Sequence, residues 1–159
     1  MSRTLQPVPR WAVYTSWVLS LIGVALATYL TYEHYAAKVF QGCSLGGIVN
    51  CQKVTTSAQS HFLGAPVAVL GLATFVVFAV INSPWAWRLR TYWLHVARFV
   101  LCLGAMVFVL WLLYAELLII GNICLYCTGV HVVTFALFVV LVRVVPSQLG
   151  WTASDSAAQ

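Results

Sequence analysis

The chain has 159 residues, of which 62% are hydrophobic and only 7% are charged. A soluble domain carries about 25% charged residues, so this composition argues against a water-soluble enzyme. The net charge of +5 comes from eight scattered Lys and Arg residues that form no basic stripe, so no nucleic-acid partner is expected. One compact unit is expected at this length.

Residues 1–10 are polar and basic and read as a cytoplasmic N-terminus. From Trp11 to Tyr32 there is no charge, and the run is long enough to cross a hydrocarbon core, which needs about 20 residues. A cleaved signal peptide would have a shorter apolar region and a small-x-small site, so a retained first span is expected. Residues 33–63 form the one long segment outside the membrane, with a short helix expected over Lys53–Phe62. A second span is expected from Gly64 to Ile81, entered through Gly64-Ala65-Pro66. Residues 82–90 form a turn with interfacial tryptophans and two arginines. The third span runs from Tyr92 to Ile119, with His95 and Arg98 in its first turns and Glu116 near its end. Gly121-Asn122 is a tight turn that makes the third and fourth spans antiparallel neighbours. The fourth span covers Cys124 to Val145; Pro146 is expected to stop it, leaving 146–159 as a mobile cytoplasmic tail. The expected fold is an all-α integral membrane protein, a four-transmembrane-helix bundle over residues 11–145 with a long outer-face loop between helices 1 and 2.

In that arrangement Arg3, Arg10, Arg88, Arg90, Arg98 and Arg143 fall on one side, and Lys38 and Lys53 on the other. The positive-inside rule then puts both termini in the cytoplasm. The long loop and the Gly121–Cys127 turn share the outer face of the cell membrane, which in bacteria is oxidising.

The chain has five cysteines. Cys102 lies mid-span and reads as a small core residue. Cys43 and Cys51 are separated by a Gly-rich stretch that can close a loop. Cys124 and Cys127 form a Cys-x-x-Cys pair at a helix start, where the helix N-terminus favours thiolate over thiol. Asn122 is the expected N-cap. His131 shares a helix face with both thiols. The four paired cysteines read as a redox relay, in which a mobile pair meets a soluble partner and a fixed pair sits near an acceptor. Two structural disulfides and a four-cysteine zinc site are the rival readings; no metal is expected. The chain has no Gly-x-Gly-x-x-Gly motif to hold a nucleotide. A lipid-soluble quinone needs only an apolar pocket with a few polar groups, and is the expected acceptor. A non-enzymatic membrane protein with structural disulfides is the competing class.

Cys43-x7-Cys51 after the first span, then Ser57, Gly64-Ala65-Pro66, Cys124-Leu125-Tyr126-Cys127 and His131 together resemble the vitamin K epoxide reductase family in its small bacterial form. The likeness extends from Trp11 to Val145. It implies a four-helix bundle around a quinone, with Cys124 and Cys127 as the active-site pair and Cys127 nearest the quinone. It implies that Cys43 and Cys51 take electrons from a separate thioredoxin-like, DsbA-like partner, and that Cys51 passes them to Cys124. The quinone, whether ubiquinone, menaquinone or a vitamin K type, is expected against Cys127, His131, Ser60, His61, Leu63 and Gly64, with Ser57 and Asn122 in support. The vertebrate branch has Tyr where this chain has His131 and Asn where it has Ser60-His61, so quinone reduction is implied ahead of epoxide reduction. The other quinone-linked disulfide-generating type, resembling DsbB, carries its Cys-x-x-Cys between the first two spans, whereas here the pair follows the third.

Overall fold

A computed structural model describes residues 8–36, 43–89 and 91–149. The helices α1 (Arg10–Ala36), α3 (Val67–Ile81), α5 (Tyr92–Tyr114) and α6 (Leu125–Leu149) pack side by side. The segment between α1 and α3 holds a hairpin of β1 (Ser44–Gly46) and β2 (Val49–Asn50), helix α2 (Cys51–Thr55), a 3-10 turn (Ala58–Ser60) and a hairpin of β3 (His61–Phe62) and β4 (Ala65–Pro66). A short α4 (Pro84–Arg88) joins α3 to α5, and α5 runs on as a π-helical turn over Ala115–Ile120.

Among the described residues, three helices are long and apolar enough to cross a membrane: Arg10–Ala36, Tyr92–Ile120 and Leu125–Leu149. The expected second span is shorter than the sequence suggests. Leu63 and Gly64 both take positive φ (51° and 83°) and turn the chain into the β3–β4 hairpin. The helix therefore starts only at Val67 and has 15 residues, about 22 Å at 1.5 Å per residue. The expected helix over Lys53–Phe62 is likewise divided among α2, the 3-10 turn and β3. Asn50 caps α2 by accepting from the Lys53 N–H at 3.0 Å.

Pro146 does not stop α6, which continues to Leu149. Its ring removes one backbone donor, but Val145, Gln148 and Leu149 are buried against the bundle. That packing holds the final turn, and Ser147 Oγ donates to the Val144 carbonyl at 2.7 Å. The expectations for residues 1–7 and 150–159 lie outside the described residues, as does Lys38.

The distribution of polarity is the reverse of a soluble protein's. Ser16, Ser20, Asn82, His95, Arg98, Glu116, His131 and Thr134 are buried, while Val18, Val76, Val80, Val107, Leu110, Val132 and Phe135 are exposed. Apolar side chains facing outward and polar ones facing the helix interfaces suit a lipid surround. Trp11, Tyr14, Tyr32, Tyr35, Trp85 and Trp93 are exposed near helix ends, as in interfacial belts. Phe75 packs flat on α1 at Gly23, where any Cβ would collide with the ring.

Arg98, counted among the inner-face charges, is fully buried. Its Nε and Nη2 donate to the Ile81 carbonyl at the end of α3, at 3.0 and 2.6 Å. Its Nη1 donates to His95 Nδ1 at 2.9 Å, which fixes that imidazole as an acceptor on Nδ1. The guanidinium also stacks 3.9 Å from the Trp87 ring centroid. Asn82 Nδ2 donates to Ser20 Oγ at 3.3 Å beside it. This network ties α1, α3 and α5 together at the bundle end opposite the paired cysteines.

Candidate redox site

Gly121 ends the π turn in the left-handed region at φ 66°. Glycine takes that conformation without steric cost. The chain then runs extended through Asn122 and Ile123 before α6 begins at Leu125. This short extended piece receives the β1–β2 hairpin. Val49 bridges to Ile123, Asn50 N–H donates to the Ile123 carbonyl at 3.1 Å, and Ile123 N–H donates to the Ile48 carbonyl at 2.9 Å.

Asn122 is not the N-cap of α6. Its side-chain amide donates to the Gly47 and Ile48 carbonyls at 3.3 and 3.1 Å, and so clamps the hairpin. The capping position falls to Cys124, whose carbonyl accepts from Thr128 N–H at 2.9 Å and whose Sγ accepts from Cys127 N–H at 3.4 Å. The reason is register: two extended residues are needed to pair with the hairpin, so the helix starts later than the Asn122 signal suggests. Cys124 thus precedes the helix, and only Cys127 and His131 lie one turn apart on it.

Docking the hairpin brings the sulfurs together. Cys43 and Cys51 form a disulfide with Cα atoms 5.7 Å apart. The ligating atoms of Cys43, Cys51 and Cys124 all lie within 4.8 Å of one another, and all three residues are buried. Leu30, Val54, Tyr29, Ala68 and Ile120 surround them, with the Tyr126 ring against Tyr29 at 4.7 Å between centroids. Three thiols are a sufficient start for a zinc site, but two of them are tied in a disulfide, which suits exchange rather than ligation. Cys102, Cys124 and Cys127 are free, and Cys102 is buried on α5 among the bundle core.

The Cys124 thiol is held below its ordinary pKa, chiefly by a hydrogen bond from the Cys127 thiol, against the opposing cost of burial. The Cys127 and Tyr126 N–H groups act in the same direction. The thiolate-favoured sulfur of the pair is therefore the one that faces the loop disulfide.

Cys127 faces the other way, into a cavity of about 580 Å³ among α1, α3, α5 and α6. Its wall is mostly apolar, with Leu30, Phe62, Phe75, Phe78, Phe108 and Val109 among the lining residues. Ser57, Ser60 and His131 also line it, whereas His61, Leu63 and Gly64 are not among the lining residues. Leu63 is 93% exposed at the tip of its hairpin. His61 is exposed and paired with Ser60 Oγ at 3.1 Å. Ser57 Oγ donates to the Val54 carbonyl at 2.7 Å, closing the end of α2. His131 is buried, and its Nδ1 has no hydrogen-bond partner.

Glu116 is the site residue that sequence reasoning passed over. It is buried and lines the same cavity as Cys127, with its carboxyl in electrostatic reach of the Cys127 thiol and the Cys124 N–H. The available signal was a lone carboxylate in an apolar span, an arrangement that is costly without a task.

The cavity fits a quinone head group. It is apolar, within the usual volume range for a small-molecule site of about 300–1,000 Å³, has a thiol on its wall, and has His131 among its few polar lining residues. The model of the vitamin K epoxide reductase family matches residues 14–142 of the chain.

Proposed function

Since the chain belongs to the vitamin K epoxide reductase family, whose members are oxidoreductases, we propose that it is a quinone-dependent thiol-disulfide oxidoreductase of the cell membrane that supports disulfide formation. Electrons enter from a reduced thioredoxin-like, DsbA-like partner at Cys43 and Cys51. They pass to Cys124 and Cys127 and leave to a quinone.

The observation that carries this reading is the sulfur arrangement. One disulfide lies within exchange distance of Cys124, while Cys127 opens on a separate apolar cavity. A structural pair of disulfides would need neither a third sulfur within exchange distance of the first pair nor the cavity. In the proposed order, a partner thiolate opens the Cys43–Cys51 bond, and the freed Cys51 thiolate attacks Cys124 of a Cys124–Cys127 disulfide. The lowered pKa of Cys124 makes it the better leaving sulfur when Cys43 later displaces it from Cys51. The quinone, when bound, supplies an acceptor for two electrons and two protons. His131 would hold one of its oxygens, Phe75, Phe78 and Phe108 would exclude water, and Cys127 would be the proximal thiol. Cys43 and Cys51 are both buried under the docked hairpin, so the partner gains access when the hairpin lifts.

The proposed topology has both termini in the cytoplasm and the cysteines on the outer face. In it α3 is the fourth crossing, the shortest of the four at 15 residues.

Purified protein given a quinone and the reduced partner should bleach the quinone absorbance, and Cys127→Ala should abolish turnover. A Cys127→Ala variant with wild-type turnover would overturn the assignment.

A further inference from the structure

Glu116 is placed by an unusual piece of backbone. The residues Ala115–Ile120 form a π turn, in which the Gly121 N–H reaches back to the Glu116 carbonyl. The Asn122 N–H donates to the same carbonyl at 3.2 Å. A π turn is rare and is found mostly as a single turn inside an α-helix, frequently at functional sites. Here it sets a buried carboxyl on the wall of the cavity that Cys127 also lines, in electrostatic reach of that thiol. Exchange at this site has an unmet requirement. When Cys124–Cys127 opens at Cys124, the bond's electron pair leaves on Cys127, which is on the wall of a mostly apolar cavity. A buried thiolate there is costly unless a proton arrives with it.

We propose that Glu116 is the general acid for Cys127, giving its carboxyl proton to the Cys127 sulfur as the Cys124–Cys127 bond breaks and recovering a proton afterwards from Cys43. This rests on the redox reading above. The Cys51 thiolate forms a bond to Cys124 Sγ, the Cys124–Cys127 bond breaks, and the Glu116 proton goes to Cys127 Sγ, leaving a carboxylate. Cys43 then displaces Cys124 from Cys51; the Cys43 proton restores Glu116, and Cys124 departs as the thiolate held at the start of α6. The loop dithiol is oxidised, the helix disulfide is reduced, and the proton count closes on one carboxyl. The other titratable groups around the cavity are Cys127 and His131 on α6, with Cys124 just before it, and His34 on α1; α3 contributes none.

The test needs no quinone. In a Cys43→Ala background Cys51 is a free thiol, and formation of the Cys51–Cys124 bridge is followed by acid quenching and mass spectrometry across pH. Glu116→Gln should slow bridge formation at least tenfold near neutral pH, with the deficit shrinking as pH rises and Cys127 no longer needs a proton to leave. Glu116→Asp should restore the wild-type pH profile. Equal rates and profiles in Glu116→Gln, or a Glu116→Asp variant as slow as Gln while equally stable, would overturn the proposal and leave the relay standing. Absence of any Cys51–Cys124 bridge in the Cys43→Ala protein would instead overturn the relay itself. A measurement on the protein with Glu116 intact covers a Gln variant that fails to fold. The chain has only three Asp and Glu, and without Cys43 nothing restores the Glu116 proton, so infrared difference spectra on forming the Cys51–Cys124 bridge in the Cys43→Ala protein should show loss of one protonated-carboxyl band, unaffected by Glu33→Gln. No such loss would equally refute the assignment.

Discussion

Replacing Asn122 with alanine isolates the clamp that holds the loop cysteines against Cys124. The amide makes two hydrogen bonds to the Gly47 and Ile48 carbonyls. At about 0.5–1.5 kcal/mol each, they place about 1–3 kcal/mol on the docked hairpin. That is roughly one to two powers of ten in the ratio of docked to lifted hairpin, at about 1.4 kcal/mol per tenfold. The backbone bonds from Asn50 to Ile123 and from Ile123 to Ile48 remain, so the lower part of that range applies. The expected outcome is about tenfold slower Cys51–Cys124 exchange, trapped in a Cys43→Ala background. Direct reduction of Cys124–Cys127 by a small dithiol should be unchanged, because the helix start itself is intact. Wild-type exchange in Asn122→Ala would refute the clamp. A loss shared equally by the small-dithiol reaction would show that Asn122 shapes the Cys-x-x-Cys turn instead.

His131→Ala removes the unpartnered imidazole from the cavity wall and should raise the quinone KM about tenfold, at the cost of one hydrogen bond of about 1.4 kcal/mol, with Cys51–Cys124 exchange unaltered; an unchanged KM would remove His131 from the site. In the reduced protein the Cys124 thiolate absorbance should persist below the ordinary thiol range as pH falls. The sign follows from the lowered pKa: the thiolate is favoured in the fold, and its stabilisation is lost as pH drops through that lowered value. Cys127→Ala removes the main donor and should move this titration upward, and a titration that stays in place would show that the helix start alone sets it. Arg98→Met strands the Ile81 carbonyl and His95 Nδ1 and should cost about 3 kcal/mol, read as a lower unfolding midpoint in detergent. Exchange at the opposite end of the bundle should survive, and an unchanged midpoint would discount the network.

Some features of the site are local, and the sequence carries them directly. The apolar runs locate α1, α5 and α6, because a span is a statement about consecutive residues. Cys124-Leu125-Tyr126-Cys127 and His131 are a single helix start, and their spacing alone puts His131 one turn from Cys127. Other features misled for equally physical reasons. Pro146 carries a local stop signal that the burial of Val145 and Leu149 overrides. Asn122 carries a local cap signal, but a pairing with residues more than seventy positions away claims its side chain. Gly64 looked like a helix entrance, yet the positive φ of Leu63 beside it makes a hairpin and shortens α3.

The sequence by itself determined the apolar spans, the helix-rich architecture and the spacing of Cys43 and Cys51 and of the Cys124-x-x-Cys127 motif. These follow from composition, run length and spacing along the chain. Only the tertiary structure decided that three sulfurs converge within 4.8 Å, that Cys127 opens on a cavity away from them, and that Glu116 and Arg98 are interior rather than peripheral charges. Each of those depends on residues far apart in the chain being held by packing and hydrogen bonds, so no local pattern could specify it.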